Sequence, residues 1–212
     1  MSTFVRNLVI RTVDLGVDVT LLLAFDKDLE GGIYKDYFPV VWRVTPFGAK
    51  GPFALRATYT SQLTFLKPQV ANNNIIGAET YTDISYNEST TLTKSGGVFY
   101  FSPPTTGKEN YMVALNDTGS PQDIAIGFKD GGDPWPKPAL YFNNVGQNSN
   151  VTAQFTPILR AYITSDYQET DILRGAIQTK AIWEVNLAEL RETTTWNLSR
   201  EPHTGIFKIT PA

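Results

Sequence analysis

Cysteine is missing altogether from this chain. Its absence excludes disulfides, thiolate metal sites and a cysteine nucleophile. Histidine occurs once, as His203 in "REPHTG". One imidazole cannot build a His-rich metal site. Any Ser-His-Asp arrangement would have to use it, in a chain without a G-x-S-x-G elbow. A turn histidine after proline reads first as an exposed side chain. Charge is sparse as well, at 18% of residues with a net −3, and no basic block or stripe is visible. A nucleic-acid footprint is therefore not expected. No apolar run approaches the roughly eighteen residues of a membrane span. The start, "MSTFVRNLVIRTVDLG", has no basic region followed by an unbroken apolar stretch, because Arg6, Asn7 and Arg11 interrupt it. It does not read as a signal peptide, and a cytoplasmic protein is the simplest expectation. The N-x-S/T sequons at Asn87, Asn116, Asn150 and Asn197 then read as chance products of an Asn- and Thr-rich chain. Glycine pairs at Gly31–Gly32, Gly96–Gly97 and Gly131–Gly132 fit no phosphate-binding pattern, so nucleotide binding has no support.

Period two dominates what is present. In "LRATYTSQLTF", Leu55, Ala57, Tyr59, Leu63 and Phe65 share one side, with Ser61 as its one polar break. This predicts a strand with one buried and one wet face. "VDVTLLLAF" alternates similarly, but Leu22 and Ala24 make its second face apolar late, so that end is expected to be buried on both sides. Further strands are expected in "FVRNLVIRTV", "PVVWRV", "ETYTDIS", "GVFYF", "ALYF", "TAQFTPILRAYIT" and "KAIWEV", among others. Turn chemistry such as "NNN", "KSGG", "NDTGSPQ" and "DGGDPWPKP" separates them. Helix is scarce. "SDYQETDILRG" is the best candidate, with Ser165 as cap, Gln168 completing a capping box and Gly175 as stop. "NLAELRE" suggests one short turn capped by Asn186. The expectation is one all-β domain over residues 1–212, an antiparallel β-sandwich or flattened barrel with one or two short helices.

Several constellations bear on chemistry. In "DKDLEGGIYKDY", Asp26, Asp28 and Glu30 occupy alternate places of a Ca2+-type loop and Gly31 its sharp turn. Against that reading, Tyr37 stands where a bidentate Glu would be, and the flanks look like strands. A solvated acidic loop is the plainer interpretation. Asp166, Glu169, Asp171 and Glu184 could serve carboxylate catalysis, but they also read as wet faces. Aromatic residues offer another chemistry. Trp42, Tyr37, Trp135 and Tyr141 could stack on a planar ligand, and Lys137 could orient a carbonyl or acidic group. For Trp42 and Trp183 a core position is the plainer reading. Trp135, among Pro134, Pro136 and Pro138, is stiffened by its neighbours, and the prolines argue against an interior strand there.

The opening "MSTFVRNLVIRTVDLGVDVTLLLAF" and the later "YFPVVWRVTPFG" resemble the pink chromoproteins of oyster-type basidiomycete mushrooms. The resemblance is one of whole-chain texture, and it carries over no binding residue. It implies a non-covalently held, indole-derived aromatic chromophore and a homodimer. The residues themselves leave other functions open: a carbohydrate-binding lectin, a membrane-active defence protein, or a carboxylate hydrolase.

Overall fold

Alternating apolar residues separated by turn-forming Asn, Gly and Pro produce an all-β protein in the computed structural model, which describes residues 3–29, 31–130 and 132–212. In chain order the first strands are β1 (Val5–Thr12), β2 (Val19–Ala24), β3 (Phe38–Pro39), β4 (Val41–Phe47), β5 (Phe53–Thr60) and β6 (Leu63–Ala71). Then come β7 (Asn74–Ile84), β8 (Glu88–Ser95), β9 (Val98–Phe101), β10 (Thr105–Thr106), β11 (Met112–Asp117) and β12 (Gln122–Phe128). The last are β13 (Lys137–Val145), β14 (Asn150–Ala153), β15 (Ile158–Ile163), β16 (Trp183–Asn186), β17 (Thr193–Arg200) and β18 (Phe207–Pro211). They form four sheets, ordered β18-β17-β1-β5, β10-β8-β11-β14 with β9 beside β8, β3-β13-β12-β6-β7, and β16-β15-β2-β4. Neighbouring strands are antiparallel except β1 with β17 and β8 with β11. Inward residues of all four sheets meet in one hydrophobic cluster, as a β-sandwich requires.

The turns follow their chemistry. Asn72 and Asn73 both adopt positive φ (51° and 63°) between β6 and β7, and Gly96 and Gly97 do so (58° and 85°) between β8 and β9. Such paired left-handed residues match the twist of a two-residue hairpin. The late apolar face of β2 is also explained. Leu21, Leu23 and Phe25 enter the main core, while Leu22 and Ala24 are buried on the other side with Tyr162, Leu173 and Ile177.

Three local readings are corrected. "LRATYTSQLTF" is not one strand: β5 pairs with β1, β6 pairs with β12 and β7, and the chain changes sheets at Ser61–Gln62. Its inward residues stay in register across the change, so periodicity hides it. "TAQFTPILRAYIT" is likewise split into β14 and β15, in different sheets, on either side of "QFTP". "SDYQETDILRG" is not helical. Its polar side chains bond the local backbone instead, with Asp171 Oδ2 accepting from the Gln168 N–H at 2.8 Å and Thr164 Oγ1 from the Asp166 N–H at 3.3 Å. Isolated bridges then tie Ile172 to Val40 and Asp171 to Asn74. The prolines keep out of a strand interior, as expected: Pro134 and Pro136 precede β13, and Pro138 lies at its start. β13 pairs with β12 along its length, but β3 reaches only Leu140 and Tyr141, so the proline end has one neighbour. The short helical turn at Leu187–Glu189, capped by the Asn186 side chain, matches its expectation.

A Cβ at Gly127 of β12 would lie 2.3 Å from the Lys137 carbonyl oxygen and 3.0 Å from its carbon, whereas one at Gly132 would meet nothing within 4 Å. Gly127→Ala should therefore destabilise the protein by about 2 kcal/mol or more in chemical denaturation, because backbone must move. Gly132→Ala should stay within about 0.5 kcal/mol of the parent. Equal effects would contradict this packing.

Candidate ligand-binding site

The loop after β2 folds back on itself. Asp28 accepts the Gly31 N–H at 2.7 Å, and the Gly32 carbonyl accepts from Asp36 at 2.8 Å. The Tyr34 N–H returns to the Tyr37 carbonyl at 2.8 Å. This compact turn sets Tyr37 beside Phe142 of β13, ring centroids 5.8 Å apart. The two rings line a cavity of about 250 Å³ that Phe25 and Phe155 also wall, with Lys27, Asp36 and Gln154 among its polar residues. Lys27 Nζ lies 3.0 Å from Glu184 of β16.

Phe155 is held by an exchange of hydrogen bonds. The Tyr86 hydroxyl donates to the Phe155 carbonyl and accepts the Phe155 N–H, both at 2.9 Å. A side chain thus replaces the strand neighbour that "QFTP" loses between sheets. Sequence reasoning passed over Phe155 and Phe25 as site residues. The available signal was Pro157, which interrupts an otherwise continuous strand pattern.

The other expected stacking residues lie elsewhere. Trp42 is only 2% exposed, packed against Phe25 at 5.3 Å and Phe128 at 5.5 Å, and its Nε1 has no hydrogen-bond partner. It belongs to the core. Tyr141 is buried with Val40, Ile75 and Ile172, under the Arg174 guanidinium at 5.2 Å. Burial pushes its hydroxyl pKa up to about 12. Trp135 and Lys137 share a smaller cavity of about 160 Å³ over Leu66, Ile75 and Ala78. Two ion pairs hold that loop: Arg43–Asp130 at 2.7 Å and Lys137–Asp133 at 2.8 Å. Lys137 is thus committed to a carboxylate of its own loop. Trp135 is 50% exposed and meets Tyr81 edge-on at 6.2 Å. The five residues are therefore spread over two cavities, the core and a separate apolar cluster. Gly131, expected in the turn before Trp135, lies outside the described residues.

The acidic loop is also divided. Asp26 is buried, accepting the Tyr162 hydroxyl at 2.5 Å, with Arg160 Nη1 3.8 Å from its second oxygen. Asp28 is exposed and engaged with Gly31. Glu30 lies outside the described residues. Among the described residues no cluster of three acidic or imidazole ligands is assembled. Elsewhere, His203 is exposed in the turn that Glu201 and Gly205 close. Asn116 is 0% exposed, and its amide donates to the carbonyls of Ser120 and Val145, so the folded protein offers no acceptor at that sequon. No helix among the described residues is long and apolar enough to cross a membrane. A scan against protein-family models finds no match, and searches of curated proteins and of solved structures find no significant one.

Burial raises the Asp26 carboxyl pKa above its ordinary 3.8, although the Tyr162 hydrogen bond and Arg160 oppose the shift and Glu184 adds to it. A raised folded-state value means that the folded protein binds the proton more tightly. Stability should then fall as pH rises from near the ordinary value through the folded one. Asp26→Asn has no charge to bury, so it should gain stability relative to the parent across that window. Thermal melts between about pH 3 and about pH 7 test this; a relative loss for the variant would contradict it. Trp135→Ala should cost no more than about 1 kcal/mol and leave the far-UV circular dichroism unchanged, since half the side chain is already solvated. Loss of the folded state would instead make Trp135 part of the core.

Proposed function

We propose that this protein binds a small aromatic molecule, without transforming it, in the cavity walled by Phe25, Tyr37, Phe142 and Phe155. The observation that carries this reading is the Tyr37–Phe142 ring pair set beside that cavity by a loop and a strand distant in sequence. Stacked and tilted rings supply area and orientation for a planar guest at low entropic cost. Size agrees: an apolar cavity of roughly 150 Å³ accepts a benzene ring, and the space here is about 250 Å³. One ring, or two fused rings with a short substituent, matches it. Asp36 and Gln154 give the occupant's polar end its partners, while Lys27 stays paired with Glu184. The likeness of residues 1–25 and 37–48 to the pink chromoproteins supports an indole-derived chromophore as that occupant and a homodimer as the assembly.

Protein purified from its source should show a visible absorption band that disappears on denaturation, with a small molecule in the released fraction. A colourless preparation whose native mass equals the 23.6 kDa chain would overturn the bound-chromophore reading. With recombinant protein, indole should perturb the Tyr37 and Phe142 aromatic NMR signals. Phe142→Ala should weaken its binding about threefold or more.

A further inference from the structure

Phe155 has a second side. Beyond it, Phe4, Tyr59, Tyr86 and Pro157 enclose another cavity, of about 330 Å³. Among the described residues its lining carries no charged side chain; the polar residues there are hydroxyls and amides. Several of these already hold protein partners. The Tyr86 hydroxyl is consumed by Phe155. Ser61 Oγ accepts the Phe4 N–H at 2.9 Å, Gln62 donates to the Leu63 carbonyl at 3.1 Å, and Asn87 Oδ1 accepts the Asn110 N–H at 2.6 Å.

Tyr59 differs. Its ring is locked in the core, 4.8 Å from Phe128 and 5.9 Å from Phe25, and the residue is 2% exposed. Its hydroxyl makes no hydrogen bond with a described residue, yet its oxygen is not sealed from solvent-accessible space. Tyr59 is one of the residues that line the cavity. The hydroxyl is thus open to water and to a guest's acceptor alike, and phenylalanine would fill the same core space without it. Core packing accounts for the ring and leaves the hydroxyl unexplained.

We infer that this cavity is a second binding site, for a neutral planar molecule of one or two fused rings whose hydrogen-bond acceptor receives the Tyr59 hydroxyl. Neutrality follows from the uncharged lining. Ring count follows from a volume about twice that which holds one benzene ring. Burial raises the Tyr59 pKa, so at neutral pH the group is a donor. The geometry stands apart from the Tyr37–Phe142 cavity, with Phe155 as their common wall.

Quinoline and naphthalene form a matched pair of probes, equal in shape and differing in one acceptor nitrogen. Both should shift the aromatic NMR signals of Phe4 and Tyr59 in the full chain. Tyr59→Phe should weaken quinoline by about threefold to tenfold, the range of one net hydrogen bond, and leave naphthalene unchanged. Its melting temperature should stay close to the parent's, since the hydroxyl holds no protein partner whose loss would be felt. Phe4→Leu, at a partly buried position, should weaken the titration of both probes as read at Tyr59, and Phe142→Ala should leave the titration read at Phe4 and Tyr59 unchanged. The inference is overturned if Tyr59→Phe affects both probes equally or neither. It is equally overturned if the shifts fall on Tyr37 and Phe142 alone, or if neither probe moves Tyr59.

Discussion

Phe25 is the point at which the four sheets meet. Its ring touches Trp42 at 5.3 Å, Tyr59 at 5.9 Å, Phe128 at 5.7 Å and Phe155 at 5.3 Å. Trp42 belongs to the same sheet as β2, and Tyr59 and Phe128 belong to β5 and β12. Phe155 follows β14. Edge-to-face and tilted pairs of this kind contribute about 0.5–1.5 kcal/mol each beyond their buried area. Their greater effect is geometric. Rings are rigid plates, so fixing one plate among four sheets fixes where each sheet ends and where gaps remain. Both cavities beside Phe155 are gaps of this sort, left where flat rings cannot tile a space that branched aliphatic residues would fill.

The same constraint explains which parts of the molecule could be read in the sequence. Alternation is a property of a single strand, and Leu55 through Phe65 kept theirs, so their core-facing side was legible. Sheet membership is a property of pairing, and nothing in "TYTSQLTF" beyond the polar Ser61 marks the chain's passage from one sheet to another. Paired asparagines and glycines foretold their hairpins because left-handed backbone is a local requirement. "SDYQETDILRG" misled for the converse reason. Serine, aspartate and threonine that can cap a helix can equally hold a turn, and here the burial of Ile172 and Leu173 in different clusters favoured the turn.

Site residues followed a similar division. Tyr37 was legible as an aromatic in a loop. Its partner Phe142 lies beyond a hundred intervening residues, and only β13's return places the two together. Trp42 and Tyr141 carried the same composition signal and were drawn into packing clusters, because aromatic character alone does not distinguish a wall from a filling. Trp135 shows how loop chemistry decides exposure. Three prolines and two ion pairs hold the segment above the sheet surface, and the indole rests on Tyr81 without entering the core.

Polar groups near the aromatic centre fall into two kinds. Tyr86 and Asn116 are fully employed: each replaces backbone partners that a chain crossing between sheets would otherwise lack, and each is explained by the fold. Asp26, the Trp42 Nε1 and the Tyr59 hydroxyl are not fully satisfied in the same way. The first two are sealed, so their cost is simply borne by the many aromatic and aliphatic contacts around them. Tyr59 alone of the three opens onto a cavity large enough to contain a molecule. A fold selected for stability only would have little reason to keep an idle donor at the edge of its best-packed cluster. That contrast, between side chains the fold uses to complete its backbone and a core tyrosine hydroxyl it does not use, separates a binding feature from a packing feature where composition and periodicity do not.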